Sequence, residues 1–281
     1  MSFNRRRIPS TVLRPARDGA ILFCVGIAAA SLLSLTQTGV DAHTYWRADP
    51  LHPYGATAPA AQDAYFYSPA FTQVLWPIHA ISWPWFIAIW TLLLTAALVW
   101  QAGLWTAPVL LFWPVFVDLT VGNIHLLLGA AILLGFRWPW TWSLVLLTKV
   151  TPGVGLLWFA VRREWRSLGI ALGATALVAT VSFAVAPSLW WQWVDVLRAA
   201  AAAPSPGFIV AIPLPVRLVA AVVVVVWGAR TNRRWAVPVA STIALPVLWI
   251  NGLAMLVAVI PLLQRPSRLT EGLRRVPARA P

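Results

Sequence analysis

Seven predominantly apolar runs dominate the chain, at about 20–37, 83–101, 104–121, 123–136, 168–187, 208–229 and 235–264. A helix that crosses the hydrocarbon core of a bilayer needs roughly 20 such residues. The runs therefore predict an all-α, polytopic membrane bundle. The last run is long enough for two short spans hinged near Asn251-Gly252. Composition agrees, because 60% of the 281 residues are hydrophobic and only 10% are charged, against about 25% charged in soluble domains. The polar side chains needed to cover a water-facing surface are missing, which excludes a soluble enzyme. A single cysteine, Cys24, excludes an internal disulfide.

A formal charge of +13 suggests nucleic acid until the basic residues are located. Arginines cluster at 5–17, 162–166, 230–234 and 265–279, each cluster bordering an apolar run. That placement follows the positive-inside rule and marks cytoplasmic flanks, so no nucleic-acid partner is expected. The chain then divides into a cytoplasmic basic N-terminus at 1–19, a transmembrane domain at 20–264 with an external loop at 38–82, and a disordered basic tail at 265–281 on the cytoplasmic side. The segment 138–161 decides the topology. As one span it would carry Arg162, Arg163 and Arg166 outside, whereas two half-helices broken at Lys149-Val150-Thr151-Pro152 return the chain to the cytoplasm. Pro152 disfavours helix at Thr151 and removes a backbone donor, which favours the broken pair. Non-helical backbone at membrane depth is tolerated only where it is buried in protein or lines a wet cavity, so a cavity is expected near Lys149. The count is about eight full spans plus the broken pair.

The external loop is not an idle linker. Between Val40 and Ala80 it holds three histidines, three aspartates and all four tyrosines of the protein. The aromatic residues in and beside it, Tyr45, Trp46, Trp76, Trp83 and Trp85, serve either as interfacial anchors or as platforms for sugar rings. Asp41 directly follows the first run. A carboxylate there is either a solvated helix terminus or a general base at the outer rim of the bundle. His43, His52, Asp41 and Asp49 match no standard ligand spacing, and no Asp-x-Asp is present, so no metal is expected.

Lys149, the sole lysine, stands inside an apolar segment, where an ionisable group is costly and a functional candidate by default. It suits a phosphate oxygen as a point charge, or an ion pair with Asp118. Asp118, Asn123 and His125 flank the junction of the third and fourth runs and either lock helices together or contact a polar ligand. Arg217 is either a phosphate ligand or a snorkelling interface residue.

Several of these motifs resemble glycosyltransferase family 87: Asp41-x3-Tyr45-Trp46-x-Ala48, Gly55, Tyr65-Phe66-Tyr67-Ser68-Pro69 and Trp76-Pro77 in the loop. Further along come Gly122-Asn123-x-His125, Lys149-x2-Pro152 followed by Arg162-Arg163-x-Trp165-Arg166, and Leu245-Pro246-x2-Trp249-x-Asn251. The order is that of the family, from about 38 to 262. Asn123 stands where the family has Gln, His125 where it has Asn, and Asn251 where His is frequent, and the chain is short. The resemblance implies a GT-C fold in the cell membrane with its active site facing outside and no cofactor. It also implies transfer of one hexose, mannose above all, from a polyprenyl-phosphate donor to a glycolipid or cell-wall glycan. Asp41 would be the general base, and Lys149, Arg47 and Arg217 would hold the donor phosphate. His43, Tyr45, Trp46, Asp63, Tyr67, Asp118, Asn123, His125 and Asn251 would contact sugar or acceptor. Two other classes compete, a transporter or flippase for an anionic lipid-linked solute and a non-catalytic protein of the same fold.

Overall fold

A computed structural model describes residues 8–34, 38–55, 64–202 and 212–263. Its ordered elements are helical, with no strand among the described residues. The basic tail expected at 265–281 and the candidate Asp63 lie outside the described residues.

The first helix, α1, spans Ser10–Leu32, ten residues earlier than the apolar run begins. Arg14 and Arg17 do not end it, because long basic side chains lie along a helix and carry their charge to the interface. Arg17 also pairs with Asp18 at 2.6 Å. A short helix, α2 (Val40–Arg47), follows from Gly39. Next comes α3 (Pro69–Leu75), capped by the Ser68 hydroxyl, which accepts from the Phe71 amide.

The second run becomes α4 (Trp83–Ala102), which continues through a 3-10 turn at Gly103–Trp105 into α5 (Thr106–Leu110). The whole stretch Trp83–Leu110 is one apolar element of 28 residues. Where the second and third runs meet, Gln101 and Ala102 are buried and Gly103 is exposed at φ +56°. Gln101 is buried, and its amide donates to the carbonyls of Ala97 and Leu126. A side chain that finds partners on a neighbouring helix has no need of water, so this glutamine does not mark a loop.

Two further expected spans, 104–121 and 123–136, also give way. Beyond α5 they form α6 (Trp113–Val121) and α7 (His125–Gly135), nine and eleven residues long, meeting at 108°. At 1.5 Å per residue neither crosses a core of about 30 Å alone. The break is made by Gly122, whose φ of +70° lies in the left-handed region that ends helices.

The segment 138–161 breaks where expected. After α8 (Trp142–Thr148), Lys149 is extended at φ −141° and ψ 105°. A 3-10 helix at Thr151–Leu156 then leads into α9 (Leu157–Val161). The long α10 (Trp165–Val185) matches the fifth run and is largely uncovered by the rest of the chain. Amphipathic α11 (Pro187–Ala202) follows it, and α12 (Leu214–Arg230) matches the described part of the sixth run.

The last run splits earlier than at Asn251-Gly252. Helix α13 (Ala236–Ile243) stops before Pro246, and helix resumes as a 3-10 segment at Ile250–Ala258 and then α14 (Val259–Leu263). Proline at 246 disfavours helix at Leu245, which frees carbonyls at the end of α13.

Among the described residues three helical stretches are long and apolar enough to cross a membrane, Ser10–Leu32, Trp83–Leu110 and Trp165–Val185, or four when the bent α6–α7 pair is included. Several of the other expected runs form short, broken helices in place of single long ones. Broken backbone at membrane depth must be buried in protein, and here α6, α7 and the 3-10 segment Ile250–Ala258 pack on one another.

Candidate active site

The polar centre forms where the ends of these broken elements converge. Two glycines bring α2 to the α6–α7 break. Gly39, at φ +87°, donates its N–H to the Thr120 carbonyl at 2.7 Å. A Cβ on Gly122 would lie 2.6 Å from the Ala42 Cβ, so the approach requires glycine. Trp90 of α4 pins the same turn, its indole N–H donating to the Gly122 carbonyl at 2.7 Å. Nothing in the sequence pattern singles Trp90 out from eighteen other tryptophans.

This docking sets Asp41 beside Asn123. The Asn123 amide donates to Asp41 Oδ2 at 2.6 Å, and the Asn251 amide reaches the same oxygen at 3.4 Å. Asn123 is further held by the Ile124 N–H, which donates to its Oδ1 at 2.7 Å. Asp41 lies between the first two candidate spans, in α2, and is half-buried. Burial pushes its carboxyl above the ordinary range, while the Asn123 hydrogen bond, the Lys149 charge and the Asn251 amide draw it partly back. A carboxylate tuned upward in this way is a better proton acceptor near neutral pH than an exposed aspartate.

A second chain of contacts runs through the same break. Asp118, at the end of α6, is fully buried. Its Oδ2 accepts the Leu126 N–H at 3.2 Å, one of the unpaired amides at the start of α7. Its Oδ1 lies 2.9 Å from His125 Nδ1, and His125 Nε2 lies 3.1 Å from Lys149 Nζ. The expected direct Asp118–Lys149 pair is therefore a three-membered chain with histidine in the middle. At 0% and 1% exposure Asp118 and His125 are buried more deeply than the half-buried Lys149.

Tyr67 lies next to this centre, with the Lys149 ammonium 5.9 Å from its ring centroid. Its hydroxyl shares a hydrogen bond of 2.9 Å with that of Tyr45. The Tyr54 hydroxyl donates to the Tyr67 carbonyl at 2.7 Å, and Tyr65 packs on the Tyr67 ring. The four tyrosines therefore form one cluster in which Tyr45, Tyr54 and Tyr65 are buried. Buried in this way Tyr45 is no interfacial anchor, and of the four only Tyr67 keeps partial exposure. Burial pushes the Tyr67 hydroxyl well above the ordinary range, so it stays protonated and donates or accepts as a neutral group. Ser68 ties this loop to the lysine, its hydroxyl donating to the Leu147 carbonyl at 2.5 Å, two residues before Lys149.

The remaining sequence candidates are placed elsewhere. Helix α2 turns 100° per residue, which carries His43, Trp46 and Arg47 to the side away from Asp41. His43 packs edge-on against Trp83 with centroids 4.9 Å apart, and the Trp46 indole donates to the Ile81 carbonyl at 2.8 Å. Arg47 is exposed. Asp49 and His52 form a surface pair at 3.3 Å. The hydrogen bond from the Leu51 amide, with His52 beside it, holds the Asp49 carboxyl below the ordinary range.

Arg217 is neither snorkelling nor aimed at the Asp41 centre. Its guanidinium is buried and donates to four carbonyls, those of Ile212 at 3.0 Å, Ile243 at 2.9 Å, Leu245 at 2.6 Å and Pro246 at 3.0 Å. It is the cap on the broken end of α13. A hollow of about 220 Å³ lies between α10 and α11, lined by Ala179, Thr180, Phe183 and Trp190, none of them part of the polar centre.

An all-helical membrane protein with two carboxylates, two amides, an imidazole and an amine gathered at its helix breaks is thereby defined. Its family follows from comparison. The glycosyltransferase family 87 profile matches residues 65–270, more than half of the chain, and the chain belongs to that family. Glycosyl transfer is the activity that membership implies. No curated protein and no solved structure matches the chain. The matched stretch holds Tyr67, Asp118, Asn123, His125, Lys149, Arg217 and Asn251, while α2 with Asp41 precedes it.

Proposed function

We propose that the protein transfers one sugar, mannose by preference, from a polyprenyl-phosphate donor to a glycolipid or cell-wall glycan on the outer side of the membrane. The observation that carries this reading is a half-buried carboxylate, Asp41, held by Asn123 at the same helix break where His125 holds Lys149. In a single displacement Asp41 takes the proton of an acceptor hydroxyl while that oxygen attacks the anomeric carbon. The bond from the anomeric carbon to the phosphate oxygen breaks, its electron pair leaving with the polyprenyl phosphate, and configuration inverts. Lys149 stabilises the dianionic phosphate as it departs.

A phosphate monoester is already a good leaving group, so positioning and one well-placed cation carry much of the rate. Asn123 and Asn251 hold the Asp41 oxygen from two different elements, which restricts it to one orientation before substrate arrives. Tyr67 places an aromatic ring beside the lysine, a surface suited to a sugar. A donor with an isoprenoid tail remains in lipid throughout, which gives a reason for a transferase to be built from apolar helices.

The test is to incubate the purified protein in lipid nanodiscs with mannosyl, glucosyl and arabinosyl polyprenyl phosphates and a membrane glycolipid extract. Release of polyprenyl phosphate is expected with the mannosyl donor. No release from any of the three would contradict the reading.

A further inference from the structure

We propose that Asp118 and His125 are positioning residues that hold the Lys149 amine for an anionic group of the donor. This rests on the reading of Lys149 as the anion-binding cation. The lysine ammonium has only donors, so the His125 Nε2 it touches at 3.1 Å must accept. The imidazole proton then resides on Nδ1 and is donated to Asp118 Oδ1 at 2.9 Å. Asp118 enforces this from the other side. Its Oδ2 is occupied by the Leu126 N–H, and both its oxygens can only accept while it is ionised. One N–H of Lys149 is thereby fixed against histidine, and the other two point away from Asp118 and His125. The arrangement is rigid because Asp118 closes the end of α6 and His125 opens α7, so the helix break itself sets the distance.

Replacing Asp118 by Asn breaks the pattern in a defined way. The Leu126 N–H claims the amide oxygen, which turns the amide NH2 toward His125 Nδ1. That forces the proton onto Nε2, where it meets the donors of Lys149. His125→Gln, in contrast, keeps an acceptor near the Nε2 position, and His125→Leu removes it.

The experiment uses the full chain in nanodiscs with two readouts. In 15N spectra of histidine-labelled protein, the His125 signal is assigned by its loss in His125→Gln. It should show the Nδ1–H tautomer in the wild type and the Nε2–H tautomer in Asp118→Asn. An Nε2–H or imidazolium signal in the wild type overturns the inference. Binding of decaprenyl phosphate is the second readout. It should weaken roughly tenfold in Asp118→Asn and His125→Leu, and stay within about threefold of wild type in His125→Gln. Equal losses in His125→Gln and His125→Leu, or wild-type binding in both Asp118→Asn and His125→Leu, overturn the positioning role. Lys149→Met separates the two readings, because undiminished binding in that variant defeats the role of Lys149 itself while the tautomer result stands on its own. If His125→Leu does not fold, the wild-type spectrum and the Asp118→Asn and His125→Gln pair carry the test.

Discussion

Asn123 donates to Asp41 across 2.6 Å, joining residues 82 positions apart and fastening a short loop helix to the break between two half-length helices. Asp41 is thereby held above the ends of α6 and α7, next to the chain of contacts that runs through His125 to Lys149.

Removing that bond should change the pH dependence of transfer. Asp41 accepts a proton only when ionised, burial raises its pKa, and the Asn123 hydrogen bond opposes that rise. Asn123→Ala should therefore move the acidic limb of the rate profile to higher pH, so that activity is lost earlier as pH falls. Initial rates across the acidic range, compared with wild type, check the direction of the shift.

The docking of α2 depends on Gly122. A side chain there would stand 2.6 Å from the Ala42 Cβ and would also have to adopt φ +70°. Gly122→Ala should cost about 1–3 kcal/mol of stability from backbone strain alone. Because the clash falls on the helix that carries Asp41, it should lower transfer by more than the loss of folded protein. Thermal melting and specific activity of the same preparation distinguish the two effects.

Arg217 offers a test of where a cation is structural. Its four carbonyl partners are Ile212, just before α12, and Ile243, Leu245 and Pro246 at the broken end of α13. A lysine, which presents a compact ammonium in place of the planar fork, cannot reach all four. Arg217→Lys should destabilise the protein by about 3 kcal/mol while leaving the donor KM unchanged. A rise in KM with unaltered melting would reassign the residue to donor binding.

Orientation is tested by labelling. Cys24 is buried, which leaves a quiet background for introduced thiols. A cysteine at position 55 should react with an impermeant maleimide on intact cells, and one at position 232, in the turn between α12 and α13, should not. The opposite pattern would invert the topology argued from the arginine clusters.

Hydropathy located the apolar segments but not their paths. It counts residues, and it cannot tell a helix that meets lipid from two half-helices buried against their neighbours. That is why 104–121 and 123–136 looked like spans. Lys149 and the break beside it were legible, because a lone lysine next to proline in an apolar stretch has few alternatives. Asp118, Asn123 and His125 were legible as a group, since three polar residues in eight positions within an apolar context must find partners. Which of them meets Asp41 and which lies buried more deeply was not, because that depends on the 108° bend at Gly122. The aromatic residues misled for a related reason. A tyrosine buried against other tyrosines and one offered to a sugar have the same sequence, and only the packing of Tyr45, Tyr54, Tyr65 and Tyr67 separates them.

The central claim, that Asp41 is the base, is tested most directly by comparing transfer and donor-product binding in Asp41→Asn. The substitution keeps the size of the side chain but cannot take the acceptor proton. Transfer should fall by at least about 10²-fold, with decaprenyl phosphate bound as tightly as by wild type. Transfer at the wild-type rate in the folded variant would contradict the account.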